Sequence, residues 1–306
     1  MPTLNQYQGC LLGLALGDAL GAPHEGGFLE RMAWKLLGTT PNGERRFTDD
    51  TQMSLNVADT LIEKGEIDQD RLAERFAADY EFTRGYGPGA ARLLKRIASG
   101  ESWRDANRAI YANGSYGNGA AMRAPVVGLF YPKVDDTLFD AVCRSAEITH
   151  AHPLGIEGAQ LVATATVLSL EGLSGVEIVN RCSTVAESEE FRAKISTARE
   201  WIEGEVDVSS GDVQRELGNG ISALESCVTA IWLALRSRER DFGELMQFAI
   251  DLRGDVDTIA SMAGAIWGAR RGISELPADA LDRLESRGRL EATAEALHSA
   301  AGDSGH

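Results

Sequence analysis

Apolar residues recur at helical spacing along most of this chain, and that period constrains its fold more than any other feature. Clear stripes at residues 53–62, 221–235 and 259–267 repeat apolar side chains every three or four positions, and Gly65 ends the first stripe. Segments that alternate apolar and polar residues, as half-buried strands do, are nearly absent. The sequence therefore predicts an all-α fold, an irregular orthogonal bundle of many helices.

The organisation along the chain predicts a single domain. The 306 residues show no internal repeat and no Pro-rich or Ser-rich linker, which favours one domain over residues 1–300 and a disordered tail at 301–306. The apolar run from Cys10 to Leu16 is too short to span a bilayer, and Gly17 and Asp18 interrupt it. This run is predicted to be a buried helix.

The charge balance excludes some classes of partner. Lys and Arg number 30 and Asp and Glu number 46, so the net charge is −16 with His neutral. So acidic a chain lacks the basic surface that nucleic acids and anionic membranes require, and neither is expected as a partner. An anionic small molecule stays possible, because bound divalent cations can reverse the local potential. Four widely spaced cysteines without a CxxC pair are typical of reduced thiols in a cytoplasmic protein.

Two short acidic clusters lie far apart in the chain. Residues 48–51 read Thr-Asp-Asp-Thr and residues 255–258 read Asp-Val-Asp-Thr, each at the start of an amphipathic segment. Carboxylate and hydroxyl oxygens at this density suit Mg²⁺ or Mn²⁺ and suit zinc poorly. The alternative is that these residues only cap helices, a common role of Asp and Thr. If the fold joins the clusters, they can hold two divalent ions, which indicates a hydrolase.

Local spacing indicates how carboxylates in this chain could converge. Asp255 and Asp257 would lie on opposite faces of a regular helix, so they share an ion only from a loop or an irregular first turn, where Gly254 supplies backbone freedom. Asp18 lies in an apolar helix, and because an unpaired buried carboxylate is costly, we expect it to bond to a loop that carries a metal cluster. Glu25 lies in a Gly/Pro turn, where spacing alone favours a solvated side chain over one facing a site.

Two glycine-rich segments, residues 84–89 and 114–119, lack the spacing of dinucleotide-binding and P-loop motifs. Glycines before a helix can still expose backbone N–H groups to a phosphate. Tyr111 and Tyr116 could flank a base or could be ordinary core or surface tyrosines. His150 is more typical of a structural or substrate-contacting histidine than of a zinc ligand, because no cysteine lies nearby in the chain.

Taken together, several stretches resemble the ADP-ribosylglycohydrolase family, named for the dinitrogenase-reductase-activating glycohydrolase. These stretches are residues 13–21, 47–53, 115–119, 121–123, 149–150 and 254–260. The resemblance runs from near the N-terminus to about residue 272, nearly the whole chain. Segments 84–89 and 218–226 are most similar to the branch that acts on O-linked ADP-ribose. Segment 84–89 contains no carboxylate, which weakens the similarity to the arginine-specific branch.

The resemblance implies a dinuclear site for two Mg²⁺ or Mn²⁺ ions. Its implied metal ligands are Thr48, Asp49, Asp50, Asp255, Asp257 and Thr258. Glu25 is implied as the catalytic residue beside the metals, either as general acid and base or as a gate. The implied substrate-binding residues are Gly87, Gly89, Tyr111, Ser115, Tyr116, Gly117, Asn118, Gly119, Met122 and His150.

Within that implied set, the roles differ along the substrate. Residues 117–119 would approach the diphosphate or the proximal ribose, and His150 would contact the distal ribose or a phosphate. Tyr116 would stack on adenine, with Tyr111 as the second aromatic residue at a shorter spacing than in the animal enzymes.

The resemblance implies an enzyme that hydrolyses the O-glycosidic bond between ADP-ribose and serine, poly(ADP-ribose) or O-acetyl-ADP-ribose. Its implied partners are ADP-ribosylated proteins or small molecules, and a cytoplasmic monomer is expected. Three alternatives stay open: an ADP-ribosylarginine hydrolase, a non-catalytic ADP-ribose-binding protein, and a metal phosphoesterase of unrelated fold. The presence of both acidic clusters together with Glu25 favours an enzyme over a non-catalytic binding protein.

Overall fold

The regular structure of this chain is helical throughout the residues 2–303 that the computed structural model describes. No β-strand occurs in that range, only isolated bridges. The α-helices are α1 (Leu4–Gly21), α2 (Phe28–Leu37), α3 (Asp49–Lys64), α4 (Gln69–Ala78), α5 (Pro88–Ala98), α6 (Trp103–Ile110), α7 (Ala124–Phe130), α8 (Asp136–Glu147), α9 (Pro153–Leu170), α10 (Gly175–Val185), α11 (Glu189–Glu203), α12 (Ser210–Glu216), α13 (Ala223–Arg236), α14 (Phe242–Leu252), α15 (Val256–Arg271), α16 (Ala278–Leu281) and α17 (Arg287–Asp303). Short 3₁₀ turns lie at Ala22–His24, Phe82–Arg84, Asn118–Ala120 and Ile273–Glu275. The predicted all-α bundle is confirmed.

The apolar stripes become helices with one exception at a boundary. The stripe at 53–62 lies in α3, which Gly65 ends in the left-handed conformation at φ 73°, and the stripe at 259–267 lies in α15. The stripe at 221–235 lies in α13 except for its first residue, because α13 begins at Ala223 and Ile221 is 72% exposed. The carbonyl of Ile221 instead accepts a hydrogen bond from the Asn118 N–H at 3.0 Å, which ties it to a loop.

Helices α1 and α15 run antiparallel with their backbones in direct contact. A Cβ atom at Gly9, Gly13 or Gly17 would lie within 2.4 Å of a carbonyl oxygen of α15, and one at Gly21 would lie 2.6 Å from the Cα of Asp257. Only glycine allows so close an approach. The predicted buried N-terminal helix is confirmed, and it holds the first turn of α15 against the end of α1.

Helix α9 is the apolar centre of the bundle. Its 18 residues have a mean hydropathy of 1.2, which by length and composition would suit a membrane span. However, 78% of this helix is buried inside the protein, where it packs on α7, α8, α10, α13 and α15. Burial of this kind is what a core helix of a large bundle shows.

The structure describes only part of the predicted C-terminal tail. Residues 301–303 continue α17, and Ala301 is buried, so a disordered tail beginning at 301 is wrong for these residues. Residues 304–306 of that predicted tail lie outside the described residues. The single domain over residues 1–300 stays a prediction, which one contiguous hydrophobic cluster from Tyr7 to Ala301 supports.

Candidate functional site

Both acidic clusters lie at helix starts, as the sequence predicted. The Thr48 hydroxyl caps α3 by accepting a hydrogen bond from the Asp50 N–H at 3.3 Å, and Asp49 and Asp50 form part of the first turn. Asp255 directly precedes α15, and Asp257 lies in its first turn. A helix start suits both capping and metal binding, so only the positions of the two clusters relative to each other can distinguish these two roles.

The turn before α15 depends on Gly254. This residue has φ 73°, and a Cβ atom there would lie 2.1 Å from the carbonyl oxygen of Asn219. The Asp255 N–H donates to that same oxygen at 2.9 Å. The irregular backbone expected from the Asp255 and Asp257 spacing is thus present, which lets the two side chains converge.

Glu25 lies beside the second cluster. One carboxylate oxygen from each of Glu25, Asp255 and Asp257 lies within 4.8 Å of the others. The prediction from spacing that Glu25 is solvated away from a site is therefore wrong. The 3₁₀ turn Ala22–His24 follows α1 directly, and the contact of Gly21 with α15 carries Glu25 to the start of that helix.

The carboxylates of the two clusters act on one another electrostatically. Burial, as the largest cause, and neighbouring carboxylates together raise the pKa values of Asp49, Asp50 and Asp257 well above the usual range. The neighbours that act on Asp50 include Asp255 and Glu25, so the clusters from α3 and α15 share one site. A bound cation would compensate the repulsion between carboxylates held this close.

The donor set fits a divalent cation of the Mg²⁺ or Mn²⁺ type. The Oδ2 atom of Asp50 is buried and has no hydrogen-bond partner among the described residues, which leaves it available to an ion. All the ligand candidates offer oxygen, the donor that these ions prefer. The residues that would hold two ions are Thr48, Asp49, Asp50, Asp255, Asp257 and Thr258, and this ligand set stays a prediction.

Asp18 holds the first acidic cluster, residues 48–51, in place through hydrogen bonds. Its carboxylate accepts hydrogen bonds from the Thr48 N–H at 2.9 Å, from the Thr51 N–H at 3.0 Å and from the Thr51 hydroxyl at 2.6 Å. The expectation that this buried aspartate bonds to a loop carrying acidic residues is confirmed. Burial is the main cause that raises the pKa of Asp18 to about 6. The start of α3 is thereby fixed to α1.

Asn118 holds the second acidic cluster, residues 255–258, in place through a hydrogen bond to Asp255. Its amide donates to the Ser226 hydroxyl at 3.0 Å and to the Asp255 carboxylate, so both amide hydrogens bind protein groups. A short antiparallel bridge between Gly117 and Ser222 holds this loop against the start of α13. Asn118 thus orients Asp255, whatever further contact it makes with a ligand.

The acidic groups lie at the base of a cavity of about 210 Å³. Of the residues predicted from sequence, those that line it are Glu25, Asp49, Asp50, Gly87, Gly89, Tyr111, Ser115, Gly117, Asn118, Gly119, Met122, His150, Asp255, Asp257 and Thr258. Two predicted residues, Thr48 and Tyr116, do not line it. Thr48 is buried behind the cavity wall, whereas Tyr116 is 61% exposed.

The two tyrosines occupy different places. A Cβ atom at Gly89 would lie 1.9 Å from the Tyr111 hydroxyl, so Tyr111 packs directly on the glycine-rich start of α5 at the cavity rim. Tyr116 instead lies edge-on to the ring of His152, with a centroid distance of 5.8 Å. A role for both in base stacking stays a prediction.

His150 lies directly against the loop of residues 117–119. A Cβ atom at Gly119 would lie 2.5 Å from the His150 Cε1 atom, and one at Gly117 would lie 3.1 Å from Nε2. Gly119 is therefore needed to admit the imidazole ring next to the cavity, whereas a Cβ atom at Gly117 would make only a tight contact with it. Burial, followed by the charge of Arg123, lowers the pKa of His150 to about 3, so its ring is neutral at physiological pH.

Apolar residues of the cavity were not predicted as site residues. They are Met53, Pro88, Ala90, Leu93 and Ile221. The apolar period places Met53 in the stripe at 53–62 and Ile221 in the stripe at 221–235, which predicts core positions for both. For Ile221, the sequence signal of a site position is the similarity of segment 218–226 to one family branch.

Adding Mg²⁺ or Mn²⁺ is expected to raise the unfolding temperature of the protein, because bound cations relieve repulsion in the acidic cluster. At a cation concentration of one hundred times Kd, the free energy of unfolding rises by about 2.7 kcal/mol. Thermal unfolding with the cation or with a chelator measures this. Asp50→Asn is expected to reduce the shift, and the exposed control Asp279→Asn is expected to keep it. An equal shift in Asp50→Asn contradicts this site.

Comparison with known proteins places these features in a wider group. A family model described as ADP-ribosylglycohydrolase matches residues 1–306. ADP-ribosylhydrolase ARH3 of Mus musculus is 33% identical, over 97% of this chain and 92% of the mouse protein. The protein of the same name from Gallus gallus is 35% identical, over 97% of this chain and 94% of its own length.

A solved structure is also similar in fold. It carries the description ADP-ribosylglycohydrolase-related protein complex, and it superimposes with a TM-score of 0.74 at 27% sequence identity. The match covers 97% of this chain and 98% of the other, so the helical architecture is shared along almost the entire length.

Proposed function

Since this chain belongs to the ADP-ribosylglycohydrolase family, we propose that it hydrolyses the O-glycosidic bond that links ADP-ribose to serine, to another ADP-ribose unit or to acetate. The observation that supports this most is the junction of two acidic clusters and Glu25 at the base of one cavity. The resemblance to proteins named ADP-ribosylhydrolase ARH3 supports an O-linked substrate.

Two divalent ions at the acidic cluster would supply positive charge that binds the ribose diol and stabilises negative charge on the leaving oxygen. The protein groups have separate tasks. Glu25 is the candidate general acid and base, because its carboxylate lies within 4.8 Å of carboxylate oxygens of both Asp255 and Asp257. As general acid, Glu25 would donate a proton to the leaving oxygen.

The remaining substrate contacts follow from the shape of the cavity. Residues 117–119 and His150 form one wall and offer polar groups to the diphosphate and the distal ribose. Tyr111 and Ile221 lie at the rim and offer apolar surface to the adenosine part. Gly87 and Gly89, at the start of α5, also line the cavity, and their segment 84–89 contains no carboxylate, which favours an O-linked over an arginine-linked substrate.

Product analysis on parallel substrates tests the proposal. We expect release of intact ADP-ribose from a serine-ADP-ribosylated peptide in the presence of Mg²⁺ or Mn²⁺, and slower release from an arginine-linked peptide. Release of AMP indicates a phosphoesterase, and faster cleavage of the arginine linkage overturns the substrate assignment. Binding of ADP-ribose without turnover of any linkage indicates a non-catalytic protein.

The proposal also covers the location, oligomeric state and partners of the protein. We propose a cytoplasmic monomer that acts on ADP-ribosylated proteins or small molecules, in keeping with the net charge of −16, which disfavours nucleic acid and anionic membranes. Sedimentation at micromolar concentration tests the oligomeric state, and a stable dimer there contradicts this part.

A further inference from the structure

Arg123 is a buried cation behind the cavity wall. Its side chain is 0% exposed, and its guanidinium lies over the Phe76 ring at 5.1 Å. It donates to the Gly119 carbonyl, to the Ser145 carbonyl at 2.8 Å and to the Thr149 hydroxyl at 2.8 Å. None of these acceptors is a carboxylate. Because burying a charge without a counterion is costly, this arrangement points to a purpose beyond packing.

The Thr149 hydroxyl connects Arg123 to His150. Arginine can only donate hydrogen bonds, so the hydroxyl oxygen accepts from Arg123. The same oxygen lies 2.7 Å from Nδ1 of His150. No other acceptor for the hydroxyl hydrogen is found among the described residues, and the neighbouring guanidinium makes that hydrogen a better donor. The hydroxyl hydrogen therefore goes to Nδ1, which must be unprotonated.

The imidazole then carries its single hydrogen on Nε2. A neutral histidine has one protonated and one bare ring nitrogen, and the hydrogen bond at one nitrogen decides which is which. Nε2 lies on the side of the glycine loop, 2.9 Å from the position of a Cβ atom at Gly119. His150 and Thr149 both line the cavity. Burial lowers the pKa of His150 to about 3, which agrees with a neutral ring.

We propose that Arg123, acting through Thr149, holds His150 as the Nε2–H tautomer, so that the ring presents a hydrogen-bond donor to an oxygen acceptor of the ligand. Arg123 also binds the carbonyl of Gly119 and so fixes the loop and the ring with one side chain. Arg123 and Thr149 are positioning residues in this arrangement, and His150 is the group that contacts the ligand. The identity of the acceptor, a phosphate or ribose oxygen of ADP-ribose, rests on the proposed function, whereas the tautomer does not.

Nitrogen-15 NMR of the imidazole groups tests the tautomer in the ligand-free protein. The signals of His150 are assigned by their loss in His150→Gln. We expect Nδ1 of His150 to be unprotonated and Nε2 to be protonated in the wild type. The result requires no variant that perturbs Thr149, so a folding defect cannot obscure it. Protonation of Nδ1 in the wild type overturns the proposal.

Variants of Thr149 test the relay. Thr149→Val keeps the shape and removes the hydroxyl, so we expect a mixture of tautomers and an about tenfold weaker Kd for ADP-ribose. The matched control Thr149→Ser keeps the hydroxyl, and we expect wild-type tautomer and affinity. An unchanged tautomer in Thr149→Val overturns the relay.

Failure of the proposed function has a different signature. If the wild type does not bind ADP-ribose in calorimetry, the ligand assignment fails while the NMR result still decides the tautomer. If it binds ADP-ribose and Thr149→Val binds equally well, the donor role of His150 is overturned while the proposed function stands.

Discussion

Replacing Asp257 by asparagine is expected to lower kcat/KM on a serine-ADP-ribosylated peptide by about 10³-fold. Asp257 lies in the first turn of α15, with a carboxylate oxygen within 4.8 Å of those of Asp255 and Glu25. An amide keeps the size of the side chain but removes a charge that would hold the cations. Electrostatic stabilisation by such ions is worth several kcal/mol, and about 1.4 kcal/mol corresponds to tenfold in rate.

Glu25→Gln is expected to lower kcat by about 10²- to 10⁴-fold, the range for loss of a general acid and base.

Stability measurements distinguish these losses of activity from misfolding of the variants. Because Asp257 is one of several mutually repelling carboxylates, Asp257→Asn is expected to unfold without added cations at the wild-type temperature or above it. The exposed control Asp279→Asn is expected to keep full turnover. Near-wild-type turnover in both Asp257→Asn and Glu25→Gln would contradict the assignment of these residues to the active site.

Gly17→Ala is expected to reduce the free energy of unfolding by about 3 kcal/mol, the upper part of the usual range for an overpacked core. A Cβ atom at Gly17 would lie 2.1 Å from the Ala260 carbonyl oxygen. That neighbour is helix backbone and cannot rotate away, so α1 and α15 must move apart. The shift would also displace Asp18 and Asp257, so we expect a parallel loss of activity. Urea unfolding measures the stability.

The matched control for that prediction is Gly288→Ala. Gly288 lies in α17 with open space where a Cβ atom would be placed. Alanine there lowers the entropy of the unfolded chain, and we expect a gain of about 0.5 kcal/mol. If Gly17→Ala unfolds at the same urea concentration as the wild type, the close backbone contact between α1 and α15 is contradicted.

Features set by neighbouring residues were predictable from the sequence. The helical period predicted an all-α fold. Thr48 marked a helix start because its hydroxyl accepts from a free N–H group there, and Asp255 directly precedes α15 without such a bond. Gly254 followed from the two-residue spacing of the aspartates. Even the bonds of Asp18 were predictable in kind, since a buried carboxylate must find donors.

The tertiary structure decided where these local features meet. Glu25 looked solvated by its spacing, yet the contact of Gly21 with α15 brings it beside Asp257. Ile221 fitted the period of a helix, yet a backbone bond from Asn118 places it at the cavity rim. Apolar period cannot separate a core position from a cavity wall, because both favour the same side chains.

Long-range hydrogen bonds were the least accessible to sequence reasoning. Arg123, Thr149 and His150 belong to stretches that matched the family, but nothing in their spacing showed that one hydroxyl would join them. The sequence by itself determined which residues begin helices and which carry acidic, oxygen-rich chemistry, because propensity and capping act over a few residues. Only the tertiary structure decided which of them share one cavity, because that depends on backbone contacts between α1 and α15, far apart in the chain.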